Sequence, residues 1–486
     1  MTGNKFDIIV IGGGHAGIEA SLVTSRLGLS TLLLTNNLKR IGYMSCNPSI
    51  GGLAKGHMVK EIDILGGEMS VAADSTCIQF KRLNASRGPA VRGSRAQCDK
   101  DLYCKHMSAR VQTAENLIVS EGEARELILE GDVCKGIVTT DGVAIQARQV
   151  ILCAGTFMNA IMHFGLKQVP GGRVGDCATV GISDQLSAYG FQVGRLKTGT
   201  PARALKSSIN FEKTKPQWGD HRFIPFSLRS SARLLLPQVA CFVTATNEKT
   251  HEIIRKNLNR SPMFCGIIQG VGPRYCPSIE DKVTRFADKL SHQSFLEPEG
   301  LASDLIYIQG MSTSLPEDVQ YEFLRTMPGL ENVKLIRPGY AVEYDYFFPT
   351  QLRPTLETKT ILGLFFAGQI NGTSGYEEAG AQGLMAGINA AMKCLNRSPI
   401  ILGRDEAYIG VLIDDLVTKG TREPYRMMTS RAEYRLVLRE DNVLERLSHV
   451  AKGGGLISSE ICSTYEEILA QRHNVRDELN SKWVVH

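Results

Sequence analysis

The tightest constraint on this chain lies in its opening stretch, Phe6 to Thr35. "FDIIVI" is apolar and β-branched, "IGGGHAG" follows at once, "HAGIEASLVTSRLG" sets small and apolar residues at helical spacing, and "STLLLT" is a second short apolar run. Strand, glycine turn, helix and strand make a βαβ unit with parallel strands, and hence a doubly wound sheet. The glycines Gly12, Gly14 and Gly17 keep the G-x-G-x-x-G spacing. Gly12 serves the tight turn, Gly14 the approach of a pyrophosphate, and Gly17 the close packing of helix on strand. The turn Gly12, Gly13, Gly14, His15, Ala16 and Gly17 is therefore expected to bind a dinucleotide. The acid that usually holds a ribose after the second strand is missing, and Thr35 and Asn36 stand there.

Two later stretches favour FAD over NAD. "QVILCAGT" (149–156) and "LFFAGQINGTSGYEEAGAQG" (364–383) each end a strand in Ala-Gly, the second before a Gly-rich helix start read at Gly383. This plan suits flavoproteins that bind two dinucleotides, with Gln369 in the place of the commoner Asp near the ribityl chain. Between them, Ile118 to Ala154 carries alternating runs broken by "EGD" and "TDG", the signals of a β-meander. Its edge residue Ala124 is a candidate backbone contact to adenine.

The expected fold is α/β: an FAD-binding, Rossmann-like sheet of the glutathione-reductase type, an inserted α/β domain and a partial helical C-terminal region. The boundaries read as 1–202 with 346–404 for the FAD domain (meander within about 118–150), 203–345 for the insertion, and 405–486 for the helical part. Within the insertion, "ACFVTATN" and "FCGIIQGV" read as strands, "SIEDKVTRFADKL" and "EDVQYEFLRTM" as helices. The closing "ELNSKWVVH" ends a helical pattern without a stop signal, so a further domain is expected beyond it.

Composition narrows the class. The 486 residues exceed one small core, and 43% hydrophobic with 22% charged residues is the balance of a soluble globular protein. A net charge of +5 permits a nucleic-acid partner without requiring one. The twelve cysteines form no C-x-x-C pair and no zinc-ligand spacing, so no metal is expected, and reduced thiols in a cytoplasmic protein are. Neither a signal peptide nor a membrane span is read.

Several long strings are more specific than any flavoprotein motif: "GGGHAGIEA", "MSCNPSIGGLAKGHMVKEIDILGGEM", "IQFKRLNASRGPAVRGSRAQ", "GRLKTGTPAR", "GVGPRYCPSIEDKVTRFADK", "FLEPEG", "GLFFAGQINGTSGYEEAGAQGL" and "EPYRMMTSRAEYRLVLREDN". From Asp7 to Asn442 the chain resembles the family of tRNA uridine 5-carboxymethylaminomethyl modification enzymes, MnmG or GidA. The resemblance implies an FAD-dependent enzyme that uses NADH and 5,10-methylenetetrahydrofolate. It implies a homodimer that joins the GTPase MnmE in a heterotetramer and acts on C5 of the wobble uridine of tRNA. It places flavin contacts on Gly12 to Gly17, Ala124, Thr179 and Gln369. It places NAD binding on the segment Gly272 to Phe286, through Gly272, Pro273, Arg274, Tyr275, Ser278, Glu280, Lys282, Arg285 and Phe286.

Taken alone, Cys46 in "YMSCNPSIGG" reads as buried filler, half of a redox disulfide, or a nucleophile. Uracil C5 is a poor nucleophile until a thiolate adds at C6, so the implied chemistry needs an activated thiol. Cys46 is expected to precede a Gly-Gly helix start whose dipole would favour the thiolate. Cys276, before Pro277, is the second thiol the resemblance marks. Cys153 reads as core. The basic residues Lys81, Arg82, Arg87, Arg92 and Arg95, then Arg195, Lys197 and Arg203, then Arg426, Arg431, Arg435 and Arg439 on an expected helix, are candidate phosphate contacts, with Tyr425 and Tyr434 either stacking on bases or packed in the core. Other readings of the chain are a folate- and flavin-dependent tRNA uracil methyltransferase, a small-molecule FAD/NADH oxidoreductase without RNA, and a scaffold that holds FAD structurally.

Overall fold

The computed structural model describes residues 5–274 and 277–481. The first strand, Lys5–Ile11, lies between parallel partners Thr31–Thr35 and Ala144–Leu152. Leu117–Glu121 adds in parallel outside Thr31–Thr35, and Leu364–Phe366 adds in parallel beside the far end of Ala144–Leu152. Covered on both faces, such strands need apolar runs, and Ile8, Ile9, Val10, Leu33, Ile151 and Leu152 are fully buried. The near half of Ala144–Leu152 also pairs antiparallel with Val133–Thr139, which pairs with Ala124–Glu130. One strand thus belongs to both the parallel sheet and the meander, and the seven strands form a single doubly wound sheet.

Helices His15–Arg26 and Tyr376–Cys394 lie side by side on this sheet. They approach closely because one offers small residues to the other. A Cβ on Gly383 would fall 2.0 Å from the Ala16 carbonyl oxygen, and one on Gly387 would fall 2.8 Å from the Ala20 Cα. The later helix begins at Tyr376, earlier than the Gly383 start read from sequence. Its extra turn carries Glu377 and Glu378, which suit the positive end of a helix and form ion pairs with Lys55 at 2.9 and 3.0 Å.

Three antiparallel sheets complete the frame. Lys167–Pro170, Ile161–Phe164, Tyr340–Phe347 and Val193–Thr200 form one. Six strands between Arg203 and Arg337 form another, and Ser49–Gly51, Gly93–Cys98 and Cys77–Leu83 form a small third. Beyond it run helices Tyr408–Asp414, Val443–Gly454 and Ser459–Ser481. No helix among the described residues is long and apolar enough to cross a membrane.

Two elements differ from the sequence reading. "FCGIIQGV" forms turns, not a strand: the N–H groups of Gln269 and Gly270 donate to the Glu343 carboxylate at 2.9 and 2.6 Å, and those of Ile267 and Ile268 to the Pro262 carbonyl. "YRMMTSRAEYRLVLRE" forms no α-helix; it holds one 3₁₀ turn, Thr429–Arg431, and its last residue opens another, Glu440–Asn442. Its backbone is bonded elsewhere: Tyr425 exchanges bonds with Gly372 and Ser374, and the Met427 N–H donates to Glu378 at 3.0 Å.

A Cβ on Gly17 would lie 1.8 Å from the Gly12 carbonyl oxygen. Gly17→Ala is therefore expected to force the first helix off the sheet and to cost at least ~2 kcal/mol. Chemical denaturation checks this, with Gly453→Ala as control, because a Cβ there meets nothing within 4 Å.

Candidate active site

In parallel sheets of this kind, ligands sit at the C-terminal edge where the strands turn into helices. Here a crevice opens at that edge, lined by Gly12, Gly13, Gly14, Thr35, Asn36, Arg40, Tyr43, Glu123, Ala124, Phe157, Arg173 and Thr179 among others. Gly12 holds φ +109°, a left-handed-side conformation that suits glycine, and a Cβ there would fall 2.4 Å from the Cys153 carbonyl oxygen. A Cβ on Gly14 would meet nothing within 4 Å, so the crevice keeps room against the backbone. Gly14 caps the first helix with no side-chain bond and no acid follows in the first turn. The helix N–H groups are thus left for an anionic ligand, and these residues fit a dinucleotide pyrophosphate.

Ala124 and Thr179 line the same crevice. His15, Ala16 and Gly17 lie buried behind it. Gln369 opens the 3₁₀ turn that ends strand Leu364–Phe366, and the preceding Gly368 packs against Ala16. The His15 ring stacks on Tyr376 with centroids 4.5 Å apart. Burial pushes its pKa down to about 4 against the pull of Glu377, so it is neutral at physiological pH.

Cys46 stands next to this corner, but not at a helix start. Strand Ser49–Gly51 intervenes, and the following helix begins only at Lys55. The dipole expected to act on the thiol is therefore replaced by side chains from distant segments. The Cys46 N–H donates to the Tyr376 hydroxyl at 2.7 Å, and Cys46 Sγ lies 2.9 Å from the Tyr307 hydroxyl. The Arg203 guanidinium sits over the Tyr307 ring, 4.6 Å from its centroid, and donates to the Ser45 carbonyl at 2.8 Å. Glu299 takes Arg203 at 2.9 Å and Lys100 at 3.2 Å. Burial opposes the Glu299 charge, but the two cations overcome it and hold its pKa below the usual carboxylate range. Lys100 also lies over the Tyr43 ring at 4.3 Å, with Arg40 and Arg173 each 4.7 Å from the same centroid.

None of the described residues of the segment Gly272 to Phe286 lines the crevice, and Val271 just before it bridges to Leu196 of the four-stranded sheet. Tyr275 and Cys276 lie outside the described residues. Ser278 caps helix Ile279–Arg285. Glu280 is fully buried and accepts from the Ser314 N–H at 3.0 Å, and Lys282 donates to the Gly310 carbonyl at 2.9 Å. Glu280 and Lys282 thus join the helix to a neighbouring loop. Gly272 and Pro273 are half-buried, whereas Arg274 and Phe286 face solvent; Arg285 pairs with Asp281 at 3.6 Å.

Several expected phosphate contacts are internal ion pairs. Arg203 is 1% exposed and bound to Glu299. Arg95 pairs with Glu297 at 2.7 Å, and Arg195 with Asp345 at 2.8 Å. Tyr425 is core, its hydroxyl on Asp415, while Tyr434 is exposed. Both acids of "FLEPEG", Glu297 and Glu299, serve these pairs. Tyr307 and Tyr376 carried no sequence signal as site residues.

A glycine turn at the carboxyl edge of a doubly wound sheet, a shared meander strand and a half-buried thiol beside them define an α/β protein of the FAD-binding class. A family profile described as "Glucose inhibited division protein A" matches residues 7–398. The chain is 64% identical over 481 residues to the "tRNA uridine 5-carboxymethylaminomethyl modification enzyme MnmG" of Bdellovibrio bacteriovorus, covering 99% of this chain and 75% of that protein. The same-named protein of Geobacter sulfurreducens is 57% identical over 475 residues, covering 98% of this chain and 75% of that protein. The crystal structure of Aquifex aeolicus GidA superposes with a TM-score of 0.95 at 50% identity, over 99% of this chain and 81% of that chain. The chain belongs to this MnmG, or GidA, family.

Glu299→Gln leaves Arg203 and Lys100 buried without their carboxylate, and is expected to cost about 3–5 kcal/mol in urea denaturation at pH 7. Folding depresses the Glu299 pKa. Its contribution is therefore fully present above the unfolded carboxyl value, about 4.3, and is lost as the pH falls through the folded value. The gap between wild type and variant should narrow below about pH 4.

Proposed function

We propose that this chain is an FAD-dependent tRNA modification enzyme that builds an aminomethyl-type group on C5 of the wobble uridine. It uses NADH and 5,10-methylenetetrahydrofolate, and works in the cytoplasm as a homodimer with the GTPase MnmE. The observation that carries this reading is the position of Cys46: Tyr376 bonds its backbone and stacks on His15, the residue directly after the glycine turn. A thiol is thus held at one end of a dinucleotide crevice.

Gly12 to Gly14 would receive the pyrophosphate, Ala124 and Thr179 the adenosine half, and Gln369 the ribityl side. Glu123, which lines the crevice beside Asn36, is the carboxylate available to ribose hydroxyls where the second strand provides none. Bound there, the flavin supplies redox chemistry that no side chain offers. The protein's own share is to add a thiolate to uracil C6, so that C5 becomes nucleophilic, and to release it afterwards. Cys46 and Cys276 are the proposed catalytic thiols, and Gly272 to Phe286 the NADH segment. The division into 1–202 with 346–404, 203–345 and 405–486 is supported by the six-stranded sheet, whose strands all lie between Arg203 and Arg337.

Cells lacking this gene, complemented with wild type, Cys46→Ser or Cys276→Ser, test the reading by mass spectrometry of the wobble nucleoside. Wild type is expected to restore the C5 group, and both variants to fail while retaining bound FAD. Restoration by both variants, or a wild type that oxidises NADH and leaves tRNA unchanged, defeats it.

A further inference from the structure

On its Tyr307 side, the thiol corner contains a buried group whose own charges do not sum to zero. Arg203, Lys100 and Glu299 have side chains only 1%, 5% and 5% exposed. Two cations share one carboxylate, so the buried triad carries one net positive charge. Burying such a charge is costly unless an anion lies nearby. Arg203 leans toward one: its guanidinium covers the Tyr307 ring, and the Tyr307 hydroxyl meets Cys46 Sγ at 2.9 Å. Tyr307 is itself 3% exposed.

We propose that Tyr307 and Arg203 hold Cys46 as its thiolate, the Tyr307 hydroxyl donating to Sγ and the Arg203 charge balancing the sulfur. Cys46 loses its proton to solvent, and Lys100, Glu299, Arg203 and the thiolate then sum to zero. Tyr307 touches the sulfur and keeps its own proton; Arg203 acts through it as a positioning residue. The inference deepens the role given to Cys46 above and rests on it for its catalytic meaning, but not for the ionisation itself.

Other charged and titratable groups around the corner are compatible. Tyr376, which receives the Cys46 N–H, is held neutral by burial. His15 behind it is neutral as well. On the same helix Glu377 and Glu378 outnumber Lys55 by one charge, and that excess is held by the Gly51 N–H on Glu377 at 2.7 Å and the Met427 N–H on Glu378 at 3.0 Å. Burial opposes the Arg203 charge, but Glu299, Tyr307 and Cys46 raise its pKa above the ordinary value, so it stays charged. Lys100 holds the Tyr43 pKa down against burial, with Arg337 adding to it. A hydroxyl on the sulfur, with a buried guanidinium over that hydroxyl's ring, favours a thiolate without a helix terminus.

The test is the pH dependence of Cys46 alkylation by iodoacetamide in the flavin-loaded protein, read peptide by peptide so that other cysteines do not interfere. Wild-type Cys46 is expected to react at a constant rate down to about pH 7, well below the free-thiol midpoint near 8.5. Tyr307→Phe, which keeps the ring under Arg203, is expected to move the midpoint up by about one unit and so to slow alkylation about tenfold at pH values below the wild-type midpoint. Flavin absorbance and circular dichroism show that the variant is folded. An ordinary midpoint in wild type, or an unchanged one in Tyr307→Phe, overturns the proposal. The catalytic reading fails by a different result, restored tRNA modification by Cys46→Ser, so the two failures are separable.

Discussion

The structure depends on how closely backbone can approach backbone around the first helix. Gly17 lies against the Gly12 carbonyl, and Gly383 against the Ala16 carbonyl. Side chains at either place would push the helix His15–Arg26 away from the sheet or from the helix Tyr376–Cys394. With them absent, the N-terminus of the first helix, the end of strand Leu364–Phe366 and the start of the later helix meet at one corner. The crevice and the thiol are both built on that corner. His15 stacks on Tyr376 because the two helix starts are adjacent, and Tyr376 in turn fixes the Cys46 backbone.

Electrostatics then divides the corner into two buried groups. Lys55 with Glu377 and Glu378 carries one net negative charge, anchored by the Gly51 and Met427 N–H groups. Lys100 and Arg203 with Glu299 carry one net positive charge. Cys46 lies between a helix start and the six-stranded sheet, which supplies Arg203, Glu299's neighbourhood and Tyr307. Such groups hold their geometry strongly, because a buried charge that loses its partner is expensive. The site is thereby pinned across segments far apart in the chain.

The glycine turn was legible in sequence because its chemistry is local. Strand, turn and helix are contiguous, and each glycine answers a contact within a few residues or on the adjoining strand. The parallel strands were equally legible as apolar runs. Reading "YRMMTSRAEYRLVLRE" as a helix failed for the opposite reason. Helical spacing was present, but the Tyr425 and Met427 backbone groups find partners in the loop after Leu364–Phe366 and on Glu378. Tertiary hydrogen bonds outweighed a modest propensity. Two of the arginines read as phosphate contacts went the same way: the acids that bind Arg95 and Arg203 sit in "FLEPEG", about a hundred or more residues later.

By itself, the sequence determined the α/β class, the dinucleotide turn, the meander and the family, all carried by short contiguous strings whose physics is local. Only the tertiary structure decided what surrounds Cys46. Tyr307 lies 261 residues from it and Tyr376 lies 330 away, and no periodicity or spacing encodes such pairings. They exist because separate sheets and helices pack into one corner, and a thiol's charge state depends on which side chains that packing brings within hydrogen-bond reach.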